Sequence, residues 1–248
     1  MKADMIKNCR EITVKAVRFP HQRGTILYAC SPCVTGTMEG RRAGRTADKI
    51  HLASLLLEHL AGREGPPWTD DRFSNRAAYP IQVVRGPLGR PHLLLGEYRG
   101  PAISFSEGGG NVWAALCGDG SDIGIDAAGT DEFQGEYPFH RVFHPQELQH
   151  ALSLTGEDLE KASALLWSVK EAVVKALGCA FHLVGPRQIT VHPSAGGNGE
   201  YAFPVGLSGK ALARFPLAAR GSLWARSLPQ DKMCLSIALL DRRPTDGE

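Results

Sequence analysis

The chain lacks most of what would mark a protein for a membrane or for nucleic acid. No apolar run approaches the length of a membrane span. The opening Met1-Lys2-Ala3-Asp4-Met5-Ile6-Lys7 has no apolar core, so no signal peptide is expected. Neither sign of charge dominates: 28 basic residues face 26 acidic ones, a net +2. That balance leaves no overall electrostatic case for nucleic acid. Cysteine is sparse, six residues scattered through a chain too long to need staples. Cys30-Ser31-Pro32-Cys33 is a lone CxxC, and the second close pair that a zinc ribbon needs is absent. Pro32, Val34 and Thr35 favour loop or strand there, whereas a redox motif opens a helix. Reduced thiols and a cytoplasmic location are the expectations.

What is present describes an ordinary globular protein. The 248 residues suit one large domain or two modest ones, with 43% hydrophobic and 22% charged residues. Strand-like alternation covers 12–17, 26–29, 81–84, 102–106, 112–117, 188–192 and 234–239. Leu52, Leu55, Leu56 and Leu60 have helical spacing over 47–61, and Gly62 with Pro66-Pro67 supplies a stop. Arg41, Arg42 and Arg45 precede that helix, as a solubilising loop or as a phosphate contact. Gly108-Gly109-Gly110 predicts a hairpin turn, and a second helix is predicted over 139–152. Gly118-Asp119-Gly120-Ser121 is the best candidate boundary. The order predicts an α+β fold of two similar fused halves, 1–118 and 119–248, each a small antiparallel-type sheet packed on helices. No internal sequence repeat is demonstrable.

The most ordered stretch ends at Gly178. Leu159, Ala162, Leu166, Val169, Val173 and Ala176 step by three and four, which predicts a helix with one buried stripe. Thr155 and Asp158 offer a start and Gly178 a stop. Ser168, Glu171 and Lys175 share another face, with Lys170 on the flank. By itself that face reads as a solvated edge with one Glu–Lys pair. Upstream, however, the apolar strand Ile123-Gly124-Ile125 ends in Asp126. A strand-end carboxylate and a helical carboxylate can converge at a sheet–helix junction. Two hard oxygen ligands with room for water suit magnesium, and lysines beside them counter phosphate charge.

Gly124-Ile125-Asp126, followed by Trp167-Ser168-Val169-Lys170-Glu171-Ala172-Val173-Val174-Lys175, resembles the two signature motifs of the 4′-phosphopantetheinyl transferases. Gly89-Arg90-Pro91 is similar to the family's G-[KR]-P, and Ile103-Ser104-Phe105-Ser106 to its I-S-H-S. Arg141-Val142-Phe143 with Glu147 is similar to the R-x-F…E segment between the signatures. The likeness covers about residues 84–240 and points to the long, surfactin-synthetase type with two fused halves.

The resemblance implies transfer of 4′-phosphopantetheine from coenzyme A to a serine of an apo acyl or peptidyl carrier protein. Magnesium is required and 3′,5′-ADP is released. It further implies that Asp126 and Glu171 hold the metal and that Glu171 deprotonates the serine. Lys175 would neutralise the pyrophosphate, Arg90 and Lys170 would bind phosphates, and Ser104 would position coenzyme A. A monomer suffices when both halves lie in one chain, and neither nucleic acid nor a membrane is an implied partner. Two positions depart from the pattern. Ala128 stands where long members carry a further acid, and Phe105 replaces a histidine that can donate to phosphate. A non-catalytic relative that binds coenzyme A or a carrier protein is the alternative.

Overall fold

A computed structural model of the chain describes residues 12–20, 24–33, 38–64, 80–118, 120–135, 137–193, 200–216, 218 and 222–241. The first elements are β1 (Lys15–Val17), β2 (Ile26–Pro32), α1 (Met38–Glu64), β3 (Ile81–Arg85), β4 (Pro91–Leu95) and β5 (Tyr98–Arg99). The hairpin β6 (Ala102–Gly108) and β7 (Asn111–Cys117) follows, then β8 (Asp122–Gly129). Three helices come next: α2 (Phe139–Val142), α3 (Pro145–Thr155) and α4 (Leu159–Ala176). The chain closes with β9 (Ile189–Val191), β10 (Tyr201–Leu207), α5 (Gly209–Arg214), β11 (Ser222–Gln230) and β12 (Met233–Asp241).

These strands form an antiparallel sheet β1-β2-β7-β6, another in the order β8-β12-β11-β10-β9, and a small one, β3-β4-β5. The class is α+β. Each large sheet repeats one plan: a strand (β2 or β8), then a helix (α1 or α4), then a hairpin whose last strand returns beside the first. That shared plan is visible in topology although the sequence shows no repeat.

Apolar alternation stacks the layers. Leu52, Leu56 and Leu60 of α1 pack on Leu27, Val112 and Leu116. The opposite face of that sheet, with Ile26, Trp113 and Ala115, meets Ile123, Ile125, Leu235 and Ile237 of the second sheet. Val169, Ala172 and Val173 of α4 cover the far side, against Ala225, Ala238 and Leu240. The order is helix, sheet, sheet, helix, and burying each such leucine or valine contributes about 1.5–3 kcal/mol. On β8 the period of two sends Ile123 and Ile125 between the sheets, and Gly124, Asp126 and Ala128 toward α4. Gly124 is required there, because a Cβ would come 1.9 Å from the Ala172 carbonyl oxygen.

Several expectations need correction. The helix over 139–152 is broken into α2 and α3, because Pro145 forces His144 into extended backbone (φ −76°, ψ 143°) before opening α3. α1 begins at Met38, so Arg45 lies on a helix and not on a loop. β8 runs to Gly129, which makes Asp126 a mid-strand residue. Leu159 is 41% exposed and outside the buried stripe. Asp158 itself caps α4, accepting from the Lys161 amide at 3.0 Å. Strands β4, β5, β10 and β11 were not anticipated. Pro66-Pro67, Asp119, the tail beyond Asp241 and the side chains of Arg41 and Arg42 lie outside the described residues.

Candidate functional site

A cleft of about 420 Å³ opens where β6, β8, α1 and α4 meet, and Asp126, Glu171 and Lys175 all line it. Asp126 is buried on β8 and faces α4. One helical turn separates Glu171 from Lys175, which brings both over the same strand. The Lys175 ammonium donates to Asp126 Oδ1 at 2.7 Å and to the Ile125 carbonyl at 3.0 Å. From β6 it also reaches Ser106 Oγ at 3.2 Å and the Phe105 carbonyl at 3.3 Å.

Ser106 is a residue the sequence reading left without a role. Its hydroxyl donates to Asp126 Oδ1 at 2.9 Å and accepts from the Ala127 amide at 3.2 Å. Ser104 Oγ accepts from the Ile125 amide at 3.1 Å. Two serines on alternate positions of β6 thus satisfy successive outward amides on the edge of β8, where an unpaired buried N–H would be costly. The Ser-x-Ser spacing was the available signal. Gly108 continues this close approach, since a Cβ would come 2.8 Å from Ala127.

Glu171 is the perturbed group of the cleft. Burial pushes its carboxyl up to about 7, the negative Asp126 adds to the rise, Lys175 opposes it and Glu132 adds a smaller upward push. Tyr137 is also raised, by burial first and then by Glu132 and Glu171. Glu132 lines the cleft as well, while its Oε1 accepts from the Gly129 amide at 2.8 Å.

Three residues expected to contact the ligand are otherwise engaged. Lys170 is fully buried and points away from the cleft. It pairs with Glu147 at 2.6 Å and donates to the Pro186 and Ile189 carbonyls at 2.8 and 2.7 Å. Its charge therefore faces Glu147, and it is not among the residues that line the cleft. Burial drives its pKa down and Glu147 opposes that. Arg90 pairs with Asp122 and lies against Gly178, beyond the end of α4, and does not line the cleft. Ser104 is 3% exposed and serves β8. Ser168, read onto the Glu171 face, is buried and bonded to Ser236 at 2.7 Å. Trp167 lines the cleft and packs on Phe181, centroids 4.9 Å apart.

Ala128 is 1% exposed and belongs to the apolar core beneath α4. Among the described residues no group of three His, Cys, Asp or Glu side chains is placed to hold a metal ion. Asp126 and Glu171 remain as a two-carboxylate donor set in one cleft. Magnesium keeps several waters and takes one or two carboxylates plus substrate phosphates, so this set fits it.

None of the five described cysteines is joined in a disulfide. Burial raises Cys30 and Cys33 and pushes Cys179 up to about 11 and Cys234 to about 12, which leaves none of these four activated. Among the described residues no helix is long and apolar enough to cross a membrane.

Comparison with known proteins bears on the same half of the chain. Residues 122–217 match the model of the 4′-phosphopantetheinyl transferase superfamily (ACPS). A Synechocystis protein named "Putative 4'-phosphopantetheinyl transferase slr0495" is 34% identical over 103 residues, 40% of each chain. The match therefore spans well under half of that relative's length. Among solved structures, the Chronobacterium ammoniagenes ACPS-CoA complex aligns at 21% identity and TM-score 0.42, over 50% of this chain and 98% of its own. An apo-ACPS structure aligns at 22% and 0.40, over 48% and 95%. The superfamily match begins at the first residue of β8 and takes in α4, so it contains Asp126, Glu171 and Lys175. Residues 122–217 thus carry the chain's similarity to the 4′-phosphopantetheinyl transferase superfamily.

Proposed function

We propose that the protein transfers 4′-phosphopantetheine from coenzyme A to a serine of an apo acyl or peptidyl carrier protein, releasing 3′,5′-ADP. The observation that carries this reading is the meeting of Asp126, Glu171 and Lys175 in one cleft. One chain supplies every wall of that cleft, so a monomer suffices. The reading places the reaction in the cytoplasm, with no nucleic acid or membrane taking part.

In this mechanism Glu171 takes the proton from the carrier serine. Without metal, burial and Asp126 lift this carboxyl to about 7, and a bound cation would lower it toward the ionised form that a base needs. The serine oxygen bonds to the phosphorus that bears the pantetheine arm. The bond from that phosphorus to the bridging pyrophosphate oxygen breaks, and 3′,5′-ADP leaves with the electron pair. Lys175, fixed by four oxygens, faces the charge that develops on the leaving phosphate. Asp126 and Glu171 would hold magnesium, whose positive charge supports the pyrophosphate. Ser106 keeps Asp126 oriented through its hydrogen bond.

The test is the intact mass of an apo carrier incubated with the protein, coenzyme A and magnesium. A phosphopantetheine adduct is expected with wild type and none with Glu171→Gln. Lack of an adduct on any of several carriers rejects the transfer reaction. Ala128 and Phe105 favour the second reading, a non-catalytic binder of coenzyme A or a carrier protein. Calorimetric binding of coenzyme A without any adduct would select it.

A further inference from the structure

We propose that Glu107 is a built-in competitor for the anionic end of the ligand, occupying two α1 cations that a phosphate group must take over. The inference rests on the cleft binding a phosphate-bearing ligand. Along β6, Ser104 and Ser106 turn to β8, while Ile103 and Phe105 pack toward α1. Glu107 continues the α1 side. Its two carboxylate oxygens are divided between two cations: Oε2 accepts from Arg45 Nη1 at 2.6 Å, and Oε1 from Lys49 Nζ at 3.1 Å. Glu107 and Lys49 line the same cleft as Asp126, Glu171 and Lys175.

The local chemistry favours exchange over permanent pairing. The side chains of Arg45, Lys49 and Glu107 remain 44%, 28% and 32% exposed, in contrast to the sealed Lys170–Glu147 pair. Exposed pairs contribute little and are easily displaced. A phosphate oxygen can replace each carboxylate oxygen, and a doubly charged phosphate brings more charge than Glu107 removes. The side chain of neighbouring Phe105 has no hydrogen bond to offer, and the Lys49 ammonium lies 6.0 Å from its ring centre. Anion recognition on this wall therefore falls to Arg45 and Lys49, and Glu107 sets the threshold for using them. Ligands without a doubly charged group at this end gain nothing from the two cations.

Calorimetry with inorganic pyrophosphate and with coenzyme A, in EDTA without magnesium, tests this. Two exposed pairs together correspond to a modest change, so Glu107→Gln is expected to bind pyrophosphate about threefold to thirtyfold tighter than wild type. Adding Arg45→Ala and Lys49→Ala to that variant should remove the gain. Unchanged or weaker pyrophosphate binding in Glu107→Gln, a gain that survives the triple change, or no binding by any form overturns the proposal. Glu107→Ser must give the same direction, which guards against a defect particular to glutamine. Failure of the transfer reading is separately visible: tighter pyrophosphate binding with no adduct on any carrier rejects transfer and leaves the role of Glu107 standing.

Discussion

Replacing Glu171 by glutamine should make the metal-free protein more stable above neutrality while ending its chemistry. The carboxyl is lifted from 4.5 to about 7, chiefly by burial and then by Asp126. A raised acid favours the neutral folded state, so its stabilising contribution is complete below pH 4.5 and is lost as pH rises through about 7. The full lift corresponds to a ceiling of about 3 kcal/mol at pH 8. Partial exposure of the side chain and solvent screening reduce this to about 1–2 kcal/mol. For a chain of this size that is about 2–6 °C in Tm. Thermal melts by circular dichroism in EDTA, at pH 5 and pH 8, measure it. Wild type and Glu171→Gln should melt together at pH 5, with the variant higher at pH 8. Parallel loss of Tm by both between those values would refute the electrostatic account of the cleft. Magnesium at pH 8 should raise the melting temperature of wild type and leave Glu171→Gln nearly unmoved.

Other outcomes follow from the same contacts. Lys170→Met strands the buried Glu147 carboxylate and two carbonyls, and should cost about 3–5 kcal/mol in urea unfolding, only partly recovered by Glu147→Leu in the same chain, which leaves the His144 and Val191 amides without their acceptor. Gly124→Ala forces α4 off the strand and should destabilise by about 2–4 kcal/mol in the same assay, with loss of the adduct. Ser106→Ala removes a donor to Asp126 and should lower the rate of carrier modification about tenfold while leaving the fold intact by circular dichroism. Ala128→Glu places a carboxylate in an apolar core, so a lower Tm is expected in place of tighter magnesium use.

Why the sequence brings out the meeting of Asp126, Glu171 and Lys175 but not the burial of Lys170 is a matter of scale. Helical spacing puts residues 171 and 175 on one face whatever surrounds them, and strand alternation does the same for 124, 126 and 128. Lys170 is one position from Glu171, which is 100° around the helix, and the partner that claims it lies on α3. No local pattern announces that Glu147, also bonded to the amides of His144 and Val191, will neutralise it. Arg90 and Ser104 were likewise assigned from motif likeness, while their partners Asp122 and Ile125 are set by how the sheets approach. β10 and β11 escaped because Pro204, Gly206 and Pro229 interrupt their alternation, though both pair along much of their length. The break at Pro145 was readable from proline chemistry and was passed over for the apolar pattern.

Lys175 draws oxygens from two sources: Phe105 and Ser106 from the first large sheet, Ile125 and Asp126 from the second. A single ammonium thereby acts as a rivet through the seam. Docking of the two sheets completes the emplacement of the fixed positive charge, so a polypeptide severed between Cys117 and Asp122 leaves Lys175 in a piece that supplies two of its four oxygens, those of Ile125 and Asp126. Mixing those pieces should restore that charge's anchorage only to the extent that the seam itself reforms.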